Sequence, residues 1–201
     1  MNFADRLHDS TKRSGSFIVA GFDPVIEGLP PFIVEQAAQA ARTDEETVYQ
    51  ALIAFYSLAI EALTGSIAAI KPNFGFFIQY GLGGIRAFDA LCRMARDCGL
   101  PVIADAKVGD IGNTAKAYSA AFLGQSKFSS GTHGVFEVDA LTVNPFLGFD
   151  TLEPFLQDCR THGKGIFVLV KTSNPGSADL QNARLSEDSC GSICEKVASV
   201  I

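Results

Sequence analysis

Short apolar runs alternate with stretches of helical periodicity along this chain, and the alternation predicts an architecture. Residues 16–21 read as a buried strand that ends at Asp23-Pro24. Residues 66–71, 101–107, 139–144 and 165–171 read as four more. Thr43-Asp-Glu-Glu46 has the form of a capping box, with Thr43 and Glu46 satisfying each other's free amides. The helix after it places Val48, Leu52, Phe55 and Ala59 on one stripe expected to be buried. Helical patterns over about 84–98, 113–123 and 149–159 follow the later strands, and 192–201 begins another. Residues 25–42 read as a long loop.

Apolar strands without alternation, each followed by a helix, mean a parallel sheet covered on its outer face. That order suits a doubly wound sheet or a (β/α)8 barrel. No Gly-x-Gly-x-x-Gly turn follows the first strand, which weakens the dinucleotide-binding version. Polar residues instead close every strand: Asp23, Lys71 with Asn73, Asp105 with Lys107, Asn144, and Lys171 with Thr172. A barrel enzyme gathers its chemistry on that C-terminal rim, so the expectation is an α/β fold of the (β/α)8 TIM barrel type. A closed barrel typically takes about 250 residues and eight strands. This chain has 201 residues and supplies about five strand–helix units. It is therefore read as a single barrel domain over 1–201, incomplete at its C-terminus, with the natural polypeptide expected to continue beyond Ile201.

Composition narrows the function classes. Hydrophobic residues make up 47% and charged residues 19%, a globular profile with no disorder signature. A net charge of −6 argues against a protein that wraps nucleic acid, yet leaves room for a small anionic ligand held by a few local cations. The first eight residues carry charges where a signal peptide needs an apolar run, and no stretch has the length of a membrane span. The five cysteines, Cys92, Cys98, Cys159, Cys190 and Cys194, lack a close-spaced zinc pattern. Cys190 and Cys194 fit one helix face, but no second pair or nearby histidine completes a site. They read as reduced thiols of a cytoplasmic protein.

The informative segment is Asp105-Ala-Lys107-Val-Gly-Asp110. Asp105 and Lys107 lie two apart, so a regular strand points them to one face. Gly109 is expected to let the chain turn sharply, leaving Asp110 to project from the loop. Lys71, from the preceding strand, should lie beside the pair and complete an alternating array of Lys71, Asp105, Lys107 and Asp110. Such charges are expensive to desolvate together, which marks a functional site in preference to a stabilising network. The three histidines, His8, His133 and His162, sit away from the strand ends and read as surface or loop residues.

The Asp-x-Lys-x-x-Asp signature, with a Lys on the preceding strand, resembles that of the orotidine 5′-monophosphate decarboxylase family. The resemblance extends to Gly21-Phe-Asp-Pro24, Lys71-Pro-Asn-Phe74, Thr142-Val-Asn-Pro-Phe-Leu-Gly148 and Val168-Leu-Val-Lys-Thr-Ser-Asn-Pro175, the last two looking like the longer-chain branch. Val108 departs from it, because relatives often carry a basic residue there. The resemblance implies removal of CO₂ from C6 of a 6-carboxypyrimidine nucleotide to give UMP, in pyrimidine biosynthesis, without metal or organic cofactor. Lys107 would stabilise charge at C6 and protonate it, Asp105 would face the departing carboxylate, and Lys71 would keep Asp105 ionised and reach the ribose. Asp23 and Asn73 would bind the ribose region, and Thr172 and Ser173 would read the pyrimidine edge unless they form only a loop-start turn. Asn144 is equally pocket lining or turn. The resemblance further implies a homodimer with shared sites, in which Asp110, Ile111 and Thr114 act in the neighbour's pocket. The family's phosphate grip is expected beyond Ile201.

Two other readings compete. A sugar-phosphate decarboxylase of the same superfamily uses magnesium, but it needs a carboxylate where this chain has Lys71. A non-catalytic remnant or scaffold barrel is the other, and the intact charge set argues against it.

Overall fold

The computed structural model describes residues 1–185 and 191–201. In chain order, the elements are α1 (Phe3–Ser14), β1 (Val19–Phe22), α2 (Pro31–Ala40), α3 (Asp44–Leu63), β2 (Ala69–Pro72), α4 (Phe74–Ile78), α5 (Gly81–Asp97) and β3 (Ile103–Val108). There follow α6 (Gly112–Phe122), β4 (Ser126–Phe128), β5 (Gly131–His133), β6 (Ala140–Val143), α7 (Glu153–His162), β7 (Gly165–Val168), α8 (Ser177–Gln181) and α9 (Ile193–Ala198).

Five of these strands run parallel in the spatial order β1, β2, β3, β6, β7. Strands β1 and β2 pair directly, bridges from Ile70 to Val102 and Asn73 to Asp105 join β2 to β3, and β6 joins β3 to β7. The short β4–β5 hairpin stands apart from that sheet. The outer face packs on the helices through Phe22, Ile70, Val102, Leu141 and Val143, together with buried Phe77, Phe88 and Phe155. Edge-to-face contacts among Phe74, Phe77, Phe88, Phe122 and Phe136 fill this outer layer.

The concave face is layered by the two-residue period of the strands. Its lowest layer holds the small Ala69 and Ala140 with Ile103, and Phe3 of α1 packs among them. Gly165 makes room for that ring, since a Cβ there would lie 2.5 Å from Phe3 Cδ1. Burying Phe3 contributes about 1.5–3 kcal/mol. Arg6 of α1 pairs with Asp139 at 2.9 Å, and Asp139 also accepts the Val102 amide. The helix thus closes the N-terminal end of the strands. One step further along, the same face presents Lys71, Asp105 and Thr142.

Several expectations are corrected. Residues 25–42 are mostly helical: α2 covers Pro31–Ala40 and buries Ile33 and Ala37. The Thr43 hydroxyl caps the Glu46 amide at 3.2 Å, but the Glu46 carboxylate takes the Arg42 amide, not that of Thr43. The buried positions of α3 are Ala51, Leu52, Tyr56 and Ile60, so Val48, Phe55 and Ala59 flank the stripe. Contact with both α2 and α5 rotates the buried arc. The pattern over 84–98 begins earlier, at Gly81, and β7 ends at Val168, which leaves Lys171 and Thr172 in a loop. Cys190 lies outside the described residues. Cys92 is buried, Cys98 exposed, and Cys159 and Cys194 intermediate, all as free thiols.

Candidate active site

The second layer of the concave face carries a compact ionic cluster. Lys71 Nζ donates to Asp105 Oδ2 at 2.9 Å, Lys107 Nζ donates to Oδ1 at 2.6 Å, and Thr142 Oγ1 donates to the same Oδ1 at 3.0 Å. The Asp105 side chain is 10% exposed, against 38% for Lys71 and 49% for Lys107. The carboxylate is therefore the buried centre, with two ammonium groups reaching it from the solvent side. Burial pushes the Asp105 carboxyl up, but the hydrogen bonds from Lys107, Lys71 and Thr142, with the Lys71 charge, outweigh it and hold the group below its ordinary 3.8.

The convergence does not come from regular strand alternation. Lys107 has φ +48°, in the left-handed region that a side-chain-bearing residue rarely enters, and the β3–β6 register shifts between Ala104 and Val108. Strain of this kind costs on the order of 1–3 kcal/mol and collects at functional sites. The positive φ expected at Gly109 is thus found at Lys107, inside β3, which continues to Val108. Gly109 has no positive φ, and its missing Cβ serves a close approach to Asn144 instead.

Asp110 does not join the cluster as expected. Its carboxylate accepts the Ile111 amide at 2.7 Å, and it forms no salt bridge among the described residues. It is half-buried in the loop between β3 and α6, and Ile111 and Thr114 beside it are exposed at the start of α6. Asp23 is exposed at the end of β1. The segment after it is pinned by Tyr80 Oη, which accepts the Ile26 amide, and by Gln79, which donates to the Pro24 carbonyl. Burial, then the Asp23 charge, push the Tyr56 phenol up to about 12. Asn73 caps α4 through the Gly75 amide, so part of its side chain is already engaged.

Asn144 and Thr172 line one cavity of about 350 Å³, with Pro145, Phe146 and Gln181. Gln181 accepts the Thr172 amide at 2.9 Å and donates to its hydroxyl at 2.8 Å, while Ser173 is exposed. The Asn144 side chain accepts the Phe146 amide, a turn contact at the cavity wall. Lys171 instead bonds Asn182. Of the histidines, His8 and His133 are exposed and His162 stands 3.9 Å from Asp158. Thr142 and Gln181 were not singled out as site residues from the sequence. Thr142 carried one usable signal, a hydroxyl in an otherwise apolar strand.

A model of the family described as orotidine 5′-phosphate decarboxylase / HUMPS matches residues 44–198, which includes Lys71, Asp105, Lys107, Asp110 and Thr142. The chain belongs to the orotidine 5′-phosphate decarboxylase / HUMPS family. It is 37% identical over 187 residues to the orotidine 5′-phosphate decarboxylase of Caldicellulosiruptor saccharolyticus, covering 93% of this chain and 61% of that protein. It is 40% identical over 182 residues to that of Rhodopirellula baltica, covering 90% and 58%. The solved OMP decarboxylase of Leishmania donovani superposes with a TM-score of 0.69 at 34% identity, over 98% of this chain and 64% of that one. The chain thus spans about three fifths of the length of the curated relatives it matches. The fold class is the (β/α)8 barrel of this family, and the described residues supply five of its strand–helix units. Among the described residues, no helix is long and apolar enough to cross a membrane.

Proposed function

We propose that the protein decarboxylates orotidine 5′-monophosphate to UMP in pyrimidine biosynthesis; the relatives it matches are named orotidine 5′-phosphate decarboxylase. The observation that carries this reading is the Lys71–Asp105–Lys107 cluster, two cations on one buried carboxylate at the C-terminal rim.

Decarboxylation breaks the bond between C6 and its carboxylate and leaves the electron pair on C6. Lys107 suits that event: a preorganised ammonium stabilises the developing charge and then transfers its proton to C6. CO₂ departs, and solvent returns a proton to the lysine. Asp105, held ionised by its three donors, faces the substrate carboxylate, and the loss of that charge as CO₂ relieves a repulsion between the two anions. Lys71 keeps Asp105 ionised and reaches the ribose with Asp23 and Asn73. Thr172 and Ser173 read the pyrimidine edge, and Asn144 lines the cavity that Thr172 also borders. No cofactor is assigned a step. The magnesium chemistry of the superfamily needs a carboxylate where Lys71 stands, and that ammonium already occupies one oxygen of Asp105.

We further read residues 1–201 as part of one barrel domain of a cytoplasmic homodimer, in which Asp110, Ile111 and Thr114 act in the neighbour's pocket. What supports this is that the Asp110 carboxylate takes the Ile111 amide and makes no salt bridge within its own chain among the described residues. The test is conversion of orotidine 5′-monophosphate to UMP by purified full-length protein, before and after chelation. Turnover insensitive to EDTA is the expected result. No turnover, or activity lost to EDTA and restored by Mg²⁺, would overturn the assignment.

A further inference from the structure

The bond that holds Lys107 in its left-handed backbone does not come from a neighbouring main chain. In a regular parallel ladder, its amide would donate to a carbonyl of β6. The register shift between Ala104 and Val108 removes that partner, and Thr142 Oγ1 accepts the Lys107 amide instead, at 2.8 Å. The same hydroxyl donates its proton to Asp105 Oδ1 at 3.0 Å, while Lys107 Nζ reaches that oxygen at 2.6 Å. One buried oxygen on β6 therefore touches both the main chain of Lys107 and the carboxylate that its side chain grips.

From this we infer that Thr142 is a positioning residue: its hydroxyl replaces the missing ladder bond and fixes the Lys107 backbone and one Asp105 oxygen together. The inference rests on the proposed role of Lys107 and Asp105. A hydroxyl is suited to the place because it accepts and donates at once. With its acceptor side taken by the Lys107 amide, its proton is directed at the carboxylate. Valine matches threonine in shape but does neither, so it leaves the Lys107 amide without its acceptor and Asp105 with one donor fewer. Thr142 is 9% exposed, and solvent has little access to repair the loss.

The experiment compares full-length wild-type, Thr142→Val and Thr142→Ser proteins. A small misplacement of a reacting group lowers turnover on the order of 10²-fold, so Thr142→Val should lose about that much in kcat with little change in KM. Its acid limb of kcat should move to higher pH, because Asp105 loses a donor that favours its ionised form. Thr142→Ser should recover most of both. Hydrogen exchange at the ¹⁵N-labelled Lys107 amide adds a readout that needs no turnover: slow in wild type and in Thr142→Ser, faster in Thr142→Val. Wild-type-like kcat and pH profile in Thr142→Val, or a Thr142→Ser as impaired as Thr142→Val, overturns the inference. Should Thr142→Val not fold, rapid exchange of the Lys107 amide in wild type overturns it and protection supports it. A wild type inactive on orotidine 5′-monophosphate would sink the functional reading, and the clamp would then be judged by exchange alone.

Discussion

Gly109 and Asn144 meet backbone to backbone at the rim. A Cβ added to Gly109 would stand 2.7 Å from the Asn144 carbonyl oxygen and 3.3 Å from its Cβ. The Asn144 amide meanwhile donates to the Val108 carbonyl at 2.8 Å, so the end of β6 holds the loop that follows Lys107. Gly109→Ala must push the two chains apart. Overpacking of this kind typically costs about 1–3 kcal/mol, and the displaced loop carries Asp110 with it. We expect a lower urea midpoint and at least a tenfold fall in kcat. A variant that matches wild type in both would show that the close approach is not needed.

Lys107→Ala should abolish decarboxylation while nucleotide binding stays measurable. Loss of a positioned proton donor alone costs roughly 10²–10⁴-fold, and the lost electrostatic stabilisation adds to it. Single-turnover kinetics with a parallel UMP-binding titration separate the two effects. Near wild-type turnover would remove Lys107 from its role.

Asp105 sets an acid-side dependence. Its carboxyl is held below 3.8 in the folded protein, so its ionisation contributes stability that is fully present above about 3.8 and is lost as pH falls through the lower folded value. A ¹³C titration of the Asp105 carboxyl should give a midpoint below 3.8. Lys71→Met removes one donor and its charge while burial remains, and the midpoint should rise. An unmoved midpoint would mean that Lys71 does not govern Asp105.

Asp110 acting across a dimer axis predicts complementation. Lys107→Ala and Asp110→Ala should each be inactive alone. In a mixed dimer, one site collects both lesions and the other receives intact Lys107 and Asp110 from different chains. Random mixing makes about half the dimers mixed, so roughly a quarter of wild-type activity should return. A reassembled mixture that stays dead would place Asp110 in its own subunit's site.

Much of this protein was legible in residue order alone. All five barrel strands lie on or beside apolar runs, because a parallel strand takes apolar residues on the face that the helices cover. The pairing of Asp105 with Lys107 and Lys71 was visible too, since polar residues that close buried strands meet at one rim. Boundaries that depend on neighbours were not: the buried arc of α3 turns toward α2 and α5, and α2 forms within a segment that reads as loop.

What the tertiary structure alone decided is how the charges are held. Phe3 reaches the floor of the concave face because Gly165 leaves space for it, 162 positions along the chain. Thr142 reaches Asp105 across 37 positions. Such contacts depend on strand register, which no local pattern encodes. The left-handed backbone at Lys107 is the clearest case. Residue order alone points to Gly109 as the residue needing conformational freedom, yet the shifted β3–β6 register and the Thr142 hydroxyl go with a positive φ at Lys107 and leave Gly109 to make room for Asn144.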